Sequence, residues 1–346
     1  MTSLILTKIF ALTTLGFAFA LFTTPILTHY LYKYKLGKNI RDDGTTPIFS
    51  KLHKDKKGTP TLGGILVWGT VVILATVFWL FDRLFEVPSA HALNFLTRKE
   101  TLLPLGAFLG ASLVGLADDF LDINQMGHKG RGFPFRFKVI LYAIVAIIGA
   151  WWFYFKLGFD YIHVPFYGNL EVGWLFIPFF ILVVVGTSFA VNETDGLDGL
   201  AGGTLLIAFL AYTLIAYMIG RENLASFIGV VCGSLLAFLW FNVYPARFIM
   251  GDTGSMGLGV LLAIVAFLTN SVLLLPLFGF IFVVEAGSAL IQIFSKKVFK
   301  KKVFLSAPIH HHFEALGWPE TKVTMRFWII SAVTSIIGVI IFFLDR

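Results

Sequence analysis

The sequence predicts an all-α fold: a polytopic integral membrane protein with about ten transmembrane helices and both termini on the non-cytoplasmic side. Three observations carry this expectation. The 346 residues are 57% hydrophobic and only 14% charged, with a mean hydropathy of +0.84, which excludes an ordinary soluble domain. Ten apolar stretches reach, or nearly reach, the ~20 residues that a helix needs to cross a bilayer core. The basic residues are also segregated: 20 of the 27 Lys and Arg fall in the loops after every other stretch.

The spans are expected near Leu4–Leu31, Leu62–Phe81, Leu102–Leu121, Val139–Phe155, Trp174–Val191, Leu200–Ile219, Leu224–Phe241, Met256–Leu268, Val272–Phe294 and Phe327–Leu344. The first carries Ala18-Phe19-Ala20, similar to a signal-peptidase site. Its apolar run continues through Phe22 to Leu27, which predicts a retained helix. The eighth is the shortest and holds Gly257 and Gly259. Membrane strands are not expected, because the runs are too long and lack alternation. Neither an internal repeat nor a separate soluble domain is visible, so residues 1–346 read as a single transmembrane catalytic domain. Cys232, the only cysteine, lies mid-span. It excludes an intrachain disulfide and argues against a thiolate metal site.

By the positive-inside rule, the loops after spans one, three, five, seven and nine, which together hold those 20 Lys and Arg, are cytoplasmic. The net charge of +7 therefore belongs to one face, where it can meet anionic lipid heads or a nucleotide. No soluble basic domain exists to carry nucleic-acid binding. Lys296–Leu305 pairs five lysines with Val298, Phe299, Val303 and Phe304. It reads equally as an interfacial stretch or as a charge cluster that stops transfer.

Eight acidic residues lie in short motifs at span ends, all on the basic side: Asp118, Asp119, Asp122, Glu193, Asp195, Asp198, Asp252 and Glu314. Ionisable groups at a bilayer edge are costly and usually functional. Asp118 and Asp119 end the third span, where helix carbonyls already disfavour negative charge. Adjacent carboxylates stay ionised only beside a cation or donor, and Mg²⁺ serves that purpose with one or two carboxylates plus substrate phosphates.

Asn192–Gly203 offers Asp195, Gly196, Asp198 and Gly199 between spans five and six. Such a stretch lets backbone amides approach a ligand, although alone it also fits a polar turn. Asn242–Ser255 has the same texture, with Asp252 ahead of a helix expected to start near Ser255. That helix start offers unpaired N–H groups to phosphate, or Asp252 simply caps it. His310, His311 and His312 are consecutive, so they cannot all face one way, which argues against a single zinc site. Hydrogen bonding to phosphate or sugar suits them better. Gly58–Gly64, with Thr61 and preceded by Lys54, Lys56 and Lys57, supplies either phosphate-binding charge or merely close helix packing. Glu285, inside span nine, is given no role.

Taken together these motifs resemble the phospho-N-acetylmuramoyl-pentapeptide transferase family, within the polyprenyl-phosphate N-acetylhexosamine-1-phosphate transferases. The likeness covers nearly the whole chain through Gly58–Gly64, Asp118-Asp119, Gly132–Lys138, Asn192–Gly203, Asn242–Ser255 and Pro308–Trp328. Pro308–Glu314, with Gly317–Lys322 and Arg326-Phe327-Trp328, marks the muramoyl-pentapeptide branch. The resemblance implies a bacterial inner-membrane enzyme with ten helices, a cytoplasmic site and a homodimeric state. The implied reaction moves phospho-MurNAc-pentapeptide from UDP-MurNAc-pentapeptide to undecaprenyl phosphate, releasing UMP, with Mg²⁺ as cofactor and membrane lipid as surroundings.

The same resemblance implies that Asp118, Asp119 and Asp252 are catalytic, Asp252 holding the Mg²⁺. Asn192, Asp195, Gly196, Leu197, Asp198 and Asn242 match positions around the uridine and diphosphate. Lys56, Thr61, Lys138, His310, His311 and His312 match other substrate contacts. Two positions depart from the family pattern. Asp122 stands where the family usually has Lys, so a compensating cation is expected from Lys129, Arg131 or Lys138. Ile249 replaces a commonly aromatic residue, which makes Phe248 the candidate for stacking on uracil. Two alternatives stay open: a related N-acetylglucosamine-1-phosphate transferase, and a secondary transporter. The His triplet argues against the first, and acidic motifs at span ends rather than mid-membrane argue against the second.

Overall fold

Apolar runs of this length satisfy their backbone groups within a bilayer by coiling into helices, and the computed structural model shows that outcome. It describes residues 2–37, 56, 58–85, 88–98, 100–127 and 132–346. The helices are α1 (Thr2–Lys33), α2 (Gly64–Phe85), a short α3 (Pro88–Leu93), α4 (Leu102–Ile123) and α5 (Phe135–Trp151), which runs on through a π turn. Then come α6 (Phe176–Thr194), α7 (Leu200–Met218), α8 (Glu222–Asn242) and α9 (Asp252–Leu268). The chain closes with α10 (Leu275–Phe278), α11 (Phe280–Val298), α12 (Ile309–Ala315) and α13 (Glu320–Leu344).

Among the described residues, eight helices are long and apolar enough to cross a membrane, and a bent pair makes a ninth. The eighth expected span is the exception. It is the 17-residue α9, about 26 Å long at 1.5 Å per residue and short of a ~30 Å hydrocarbon core. All of its residues are buried, because it forms the axis on which α4 and α6 pack. Its glycines allow that packing: a Cβ on Gly257 would lie 2.1 Å from Ser112 Oγ, and one on Gly259 2.6 Å from Ser188 Cα.

The ninth expected span is broken. α10 and α11 meet at Gly279 with a bend of 83°. Pro276 confines α10 to one turn, and Gly279 leaves helical geometry at φ −105° and ψ 30°, which is where such kinks arise. A second difference lies between α5 and α6, where a β-hairpin pairs β1 (Tyr161–Val164) with β2 (Gly168–Glu171). The cue was present, aromatic and β-branched residues around Pro165 and Gly168, but it is short beside the flanking apolar runs.

The loops sort by end of the bundle. Lys8 Nζ donates to Asn94 O and Asn223 Oδ1. Asp345 pairs with His163 of β1 and accepts the Phe166 N–H, while Arg346 donates to Thr269 O at 3.3 Å. Both termini therefore share one end with the hairpin, and the acidic motifs occupy the other. There, a small second core of Leu197, Leu200, Ile281, Val323 and Phe327, with Ile309, Phe313 and Trp318 against it, seats the loops.

Candidate active site

The site is built where the C-terminal end of α4 meets the N-terminal end of α9. Asp118 and Asp119 are both buried there, and each finds the compensation that a helix C-terminus does not give. Asp119 Oδ1 accepts the Asp252 N–H at 3.2 Å and Oδ2 the Thr253 N–H at 3.0 Å. It thus caps α9 from another helix, satisfying amides that a helix start leaves unpaired. The approach is close enough that a Cβ on Gly115 would lie 2.3 Å from Asp252 O. α9 begins at Asp252 itself, three residues before the expected start.

Asp118 turns the other way. Its Oδ1 accepts the Phe133 N–H at 2.6 Å, and its Oδ2 pairs with Lys138 Nζ. The same ammonium reaches Asp252 Oδ2 at 2.8 Å, so Lys138 sits between two carboxylates. Asn192 donates to Asp252 Oδ1 at 3.0 Å and to Ser255 Oγ at 2.9 Å. Asp195 Oδ2 accepts the Gly251 N–H at 3.2 Å. Thr61 Oγ1 lies 2.6 Å from where a Gly251 side chain would begin, buried and without a hydrogen-bond partner among the described residues.

The loops 195–199 and 243–251 are knitted side by side. Asn242 Oδ1 accepts the Gly199 N–H at 3.0 Å, and its Nδ2 donates to Phe248 O at 2.8 Å. Asp198 Oδ2 accepts the Ala246 N–H at 2.9 Å. Lys56 Nζ pairs with Asp198 Oδ1 at 2.7 Å and also with Glu320. Burial alone would pull Lys56 down, but the Glu320 and Asp198 carboxylates more than offset it and hold its pKa above the ordinary lysine value. Leu197 is buried in the small core beneath.

The His triplet points three ways, as consecutive positions require. His310 Nδ1 bonds Glu285 Oε2 at 2.8 Å with both side chains fully buried. His311 Nδ1 bonds Glu314 Oε2 at 2.7 Å, and His312 Nδ1 accepts the Leu305 N–H at 3.2 Å. Burial pulls His310 down, yet Glu285, helped by Glu314 and Glu193, holds its pKa above the ordinary histidine value. The ring lies against Gly196, where a Cβ would be 2.3 Å from Nε2.

The family described as Glycosyl transferase family 4 matches residues 101–270 of this chain. A phospho-N-acetylmuramoyl-pentapeptide-transferase of Chloroflexus aggregans is 40% identical over 324 residues, covering 90% of this chain and 83% of the relative. Relatives of the same name from Acetivibrio thermocellus, 39% identical over 94% of this chain and 92% of theirs, and Bartonella quintana, 37% over 95% and 90%, agree. The chain belongs to the phospho-N-acetylmuramoyl-pentapeptide transferase family.

Transferases of this family generally depend on a divalent metal ion. Among the described residues no group of three or more His, Cys, Asp and Glu gathers to hold a metal by itself. The donor set nevertheless fits one that shares its ligands with substrate. Asp118 and Asp252 aim hard carboxylate oxygens at a single cation position, and Mg²⁺ takes one or two carboxylates plus phosphates.

Two partners at this candidate site were not foreseen. Glu285 carried a signal, being a lone acid inside an apolar span; Glu320 carried none, since its pairing with Lys56 spans 264 positions. One expectation is corrected. Phe248 is fully buried, its ring packed on Phe238 and Phe241 with centroids 5.7 and 6.1 Å apart, so it presents no face to a uracil. Of the cations expected to offset Asp122, Lys138 is in the site. Lys129 and Arg131 lie outside the described residues, as do Lys54 and Lys57.

Proposed function

We propose that this enzyme transfers phospho-MurNAc-pentapeptide from UDP-MurNAc-pentapeptide to undecaprenyl phosphate, giving undecaprenyl-diphospho-MurNAc-pentapeptide (lipid I) and UMP. This is the first membrane step of peptidoglycan synthesis. The observation that carries the reading is the convergence of Asp118 and Asp252 on one cation position, beside two knitted loops, in a chain of this family. The segregated basic loops support a site facing the cytoplasm of a bacterial inner membrane, where the nucleotide is made. The whole chain acts as one catalytic domain, and the enzyme works as a homodimer.

Both substrates are polyanions, so the residues must first neutralise charge. Lys56 and Lys138 bring ammonium groups, and His310 a ring against Gly196, to the loops that receive the uridine and diphosphate, with Asn192, Asp195, Gly196, Leu197, Asp198 and Asn242 shaping them. Asp252, with Asp118, would hold Mg²⁺, which when bound neutralises the diphosphate and the charge on departing UMP. Phosphoryl transfer needs mainly positioning and electrostatics. The lipid phosphate has a second pKa of ~6, so at neutral pH it is already largely dianionic and needs no strong base. Its oxygen attacks the phosphorus that bears the sugar; a new P–O bond forms as the bond to UMP breaks. Asp118 orients the attacking phosphate, and Asp119 holds α9 and therefore Asp252 in place.

The test is incubation of purified protein with both substrates, with and without Mg²⁺. UMP release is expected only with lipid, donor and metal together, and UDP-N-acetylglucosamine should not replace the donor. Absence of metal-dependent UMP release would overturn the reading. A stoichiometric burst of UMP without lipid would replace direct attack by a covalent aspartyl-phosphate path.

A further inference from the structure

The segment Gly317–Arg326 contributes Glu320 to the site and Trp318 and Val323 to the small core, and the chemistry above leaves its two cations, Lys322 and Arg326, without a use. Trp318 is half-buried between α12 and α13. It stacks on Phe313 of α12, centroids 4.8 Å apart and planes inclined by 23°. Two cations share this indole: Lys322 Nζ and Arg326 Cζ each lie 4.5 Å from the ring centroid. An indole attracts cations through its π face. Like charges four residues apart on a helix repel, however, so the arrangement calls for an anion.

Nothing described supplies that anion. Both side chains are exposed, and among the described residues neither pairs with a carboxylate. Lys56, by contrast, holds two. Glu320, the acid nearest in sequence, is engaged elsewhere, accepting from Lys56 and the Asp198 N–H. Glu320, Thr324 and Trp328 all address the Asp198–Gly199 turn, and Lys322 and Arg326 fall on the other flank of α13. A guanidinium fork and an ammonium, held together on a rigid ring, match a carboxylate.

We propose that Trp318, Lys322 and Arg326 form a ledge that binds a carboxylate of the donor's peptide. The proposal rests on the transferase reading above, and it names where that substrate's peptide goes. A pentapeptide ends in a carboxylate by its chemistry, and extended it reaches up to about 17 Å. α12, which carries His310, His311 and His312 and seats Trp318 through Phe313, is seven residues long, about 10 Å. A peptide leaving the sugar beside the triplet can therefore pass α12 and end on the ledge. A lipid headgroup is the rival occupant. Cations that serve headgroups extend individually toward the interface, and here both are gathered on one ring of the His-bearing unit.

The experiment compares kcat/KM for UDP-MurNAc-pentapeptide and for UDP-MurNAc lacking the peptide, in wild type and in Lys322→Gln/Arg326→Gln. The ratio of the two should fall about tenfold in the double variant, the worth of one to two exposed charge-assisted contacts. The charge-retaining pair Lys322→Arg/Arg326→Lys should recover most of it. An unchanged ratio, or an equal loss for both nucleotides, overturns the ledge. So does a loss seen only in phosphatidylglycerol vesicles and not in phosphatidylcholine, which would assign the cations to lipid. A wild-type protein that turned over neither nucleotide would sink the transferase reading itself, so the two failures are told apart.

Discussion

Lys138 occupies the point on which Asp118 and Asp252 converge, so a metal ion entering there must displace an ammonium. Removing the competitor should tighten metal binding. Mg²⁺ is expected to raise the melting temperature of Lys138→Met in detergent more than that of wild type; equal shifts would refute the competition. Asp252→Asn should lower kcat by roughly 10²–10³-fold in a protein that still folds, and near-normal turnover at ordinary Mg²⁺ would refute its role. His310 gives a pH signature. Its pKa is raised by Glu285, so the pair stabilises fully below the unfolded value near 6.5 and fades as pH rises through the folded value. The melting deficit of Glu285→Gln should therefore be greatest at acid pH and shrink toward pH 9. The carboxylates and Asn192 were legible because polar groups at the ends of apolar runs have few innocent explanations. Their partners were not, since pairings such as Lys56 with Glu320 depend on the folded path rather than on spacing.

At the scale of elements, α9 concentrates the constraints. It is capped by Asp119, and removing such a cap costs roughly 0.5–2 kcal/mol. Asp119→Ala should accordingly lower both stability and turnover, whereas a variant with full stability and no activity would point to a direct chemical role. Gly257 admits no side chain, since a Cβ would meet Ser112 Oγ. Gly257→Val is expected to cost about 1–3 kcal/mol by overpacking, measured as a lower melting temperature; an unchanged value would mean that the neighbours yield freely. Spans were readable from hydropathy because length and composition suffice for a helix in a bilayer. The bend at Gly279 was not, because an average over a window is blind to direction. The hairpin between α5 and α6 was missed for a related reason, its eight paired residues being few beside long apolar runs.

Across the molecule, the two ends of the bundle do different work. One gathers the acidic loops, and the other ties the C-terminus to the hairpin through Asp345, His163 and the Phe166 N–H. Asp345→Ala should lower the melting temperature by ~2–4 °C and leave kcat unchanged, being a helix length from the chemistry; a fall in turnover at full stability would show the ends to be coupled. The segregation of Lys and Arg foretold that the loops would differ, but not which contacts would fasten them. The burial of α9 has a consequence for biogenesis. A helix too short to cross alone, with no side left for lipid, has no resting place of its own in a bilayer. The helices that grip it most closely, α2, α4, α6 and α7, all precede it in the chain. All four can therefore stand in the membrane before it emerges, so the order of synthesis favours a socket that carries Asp252 to its depth.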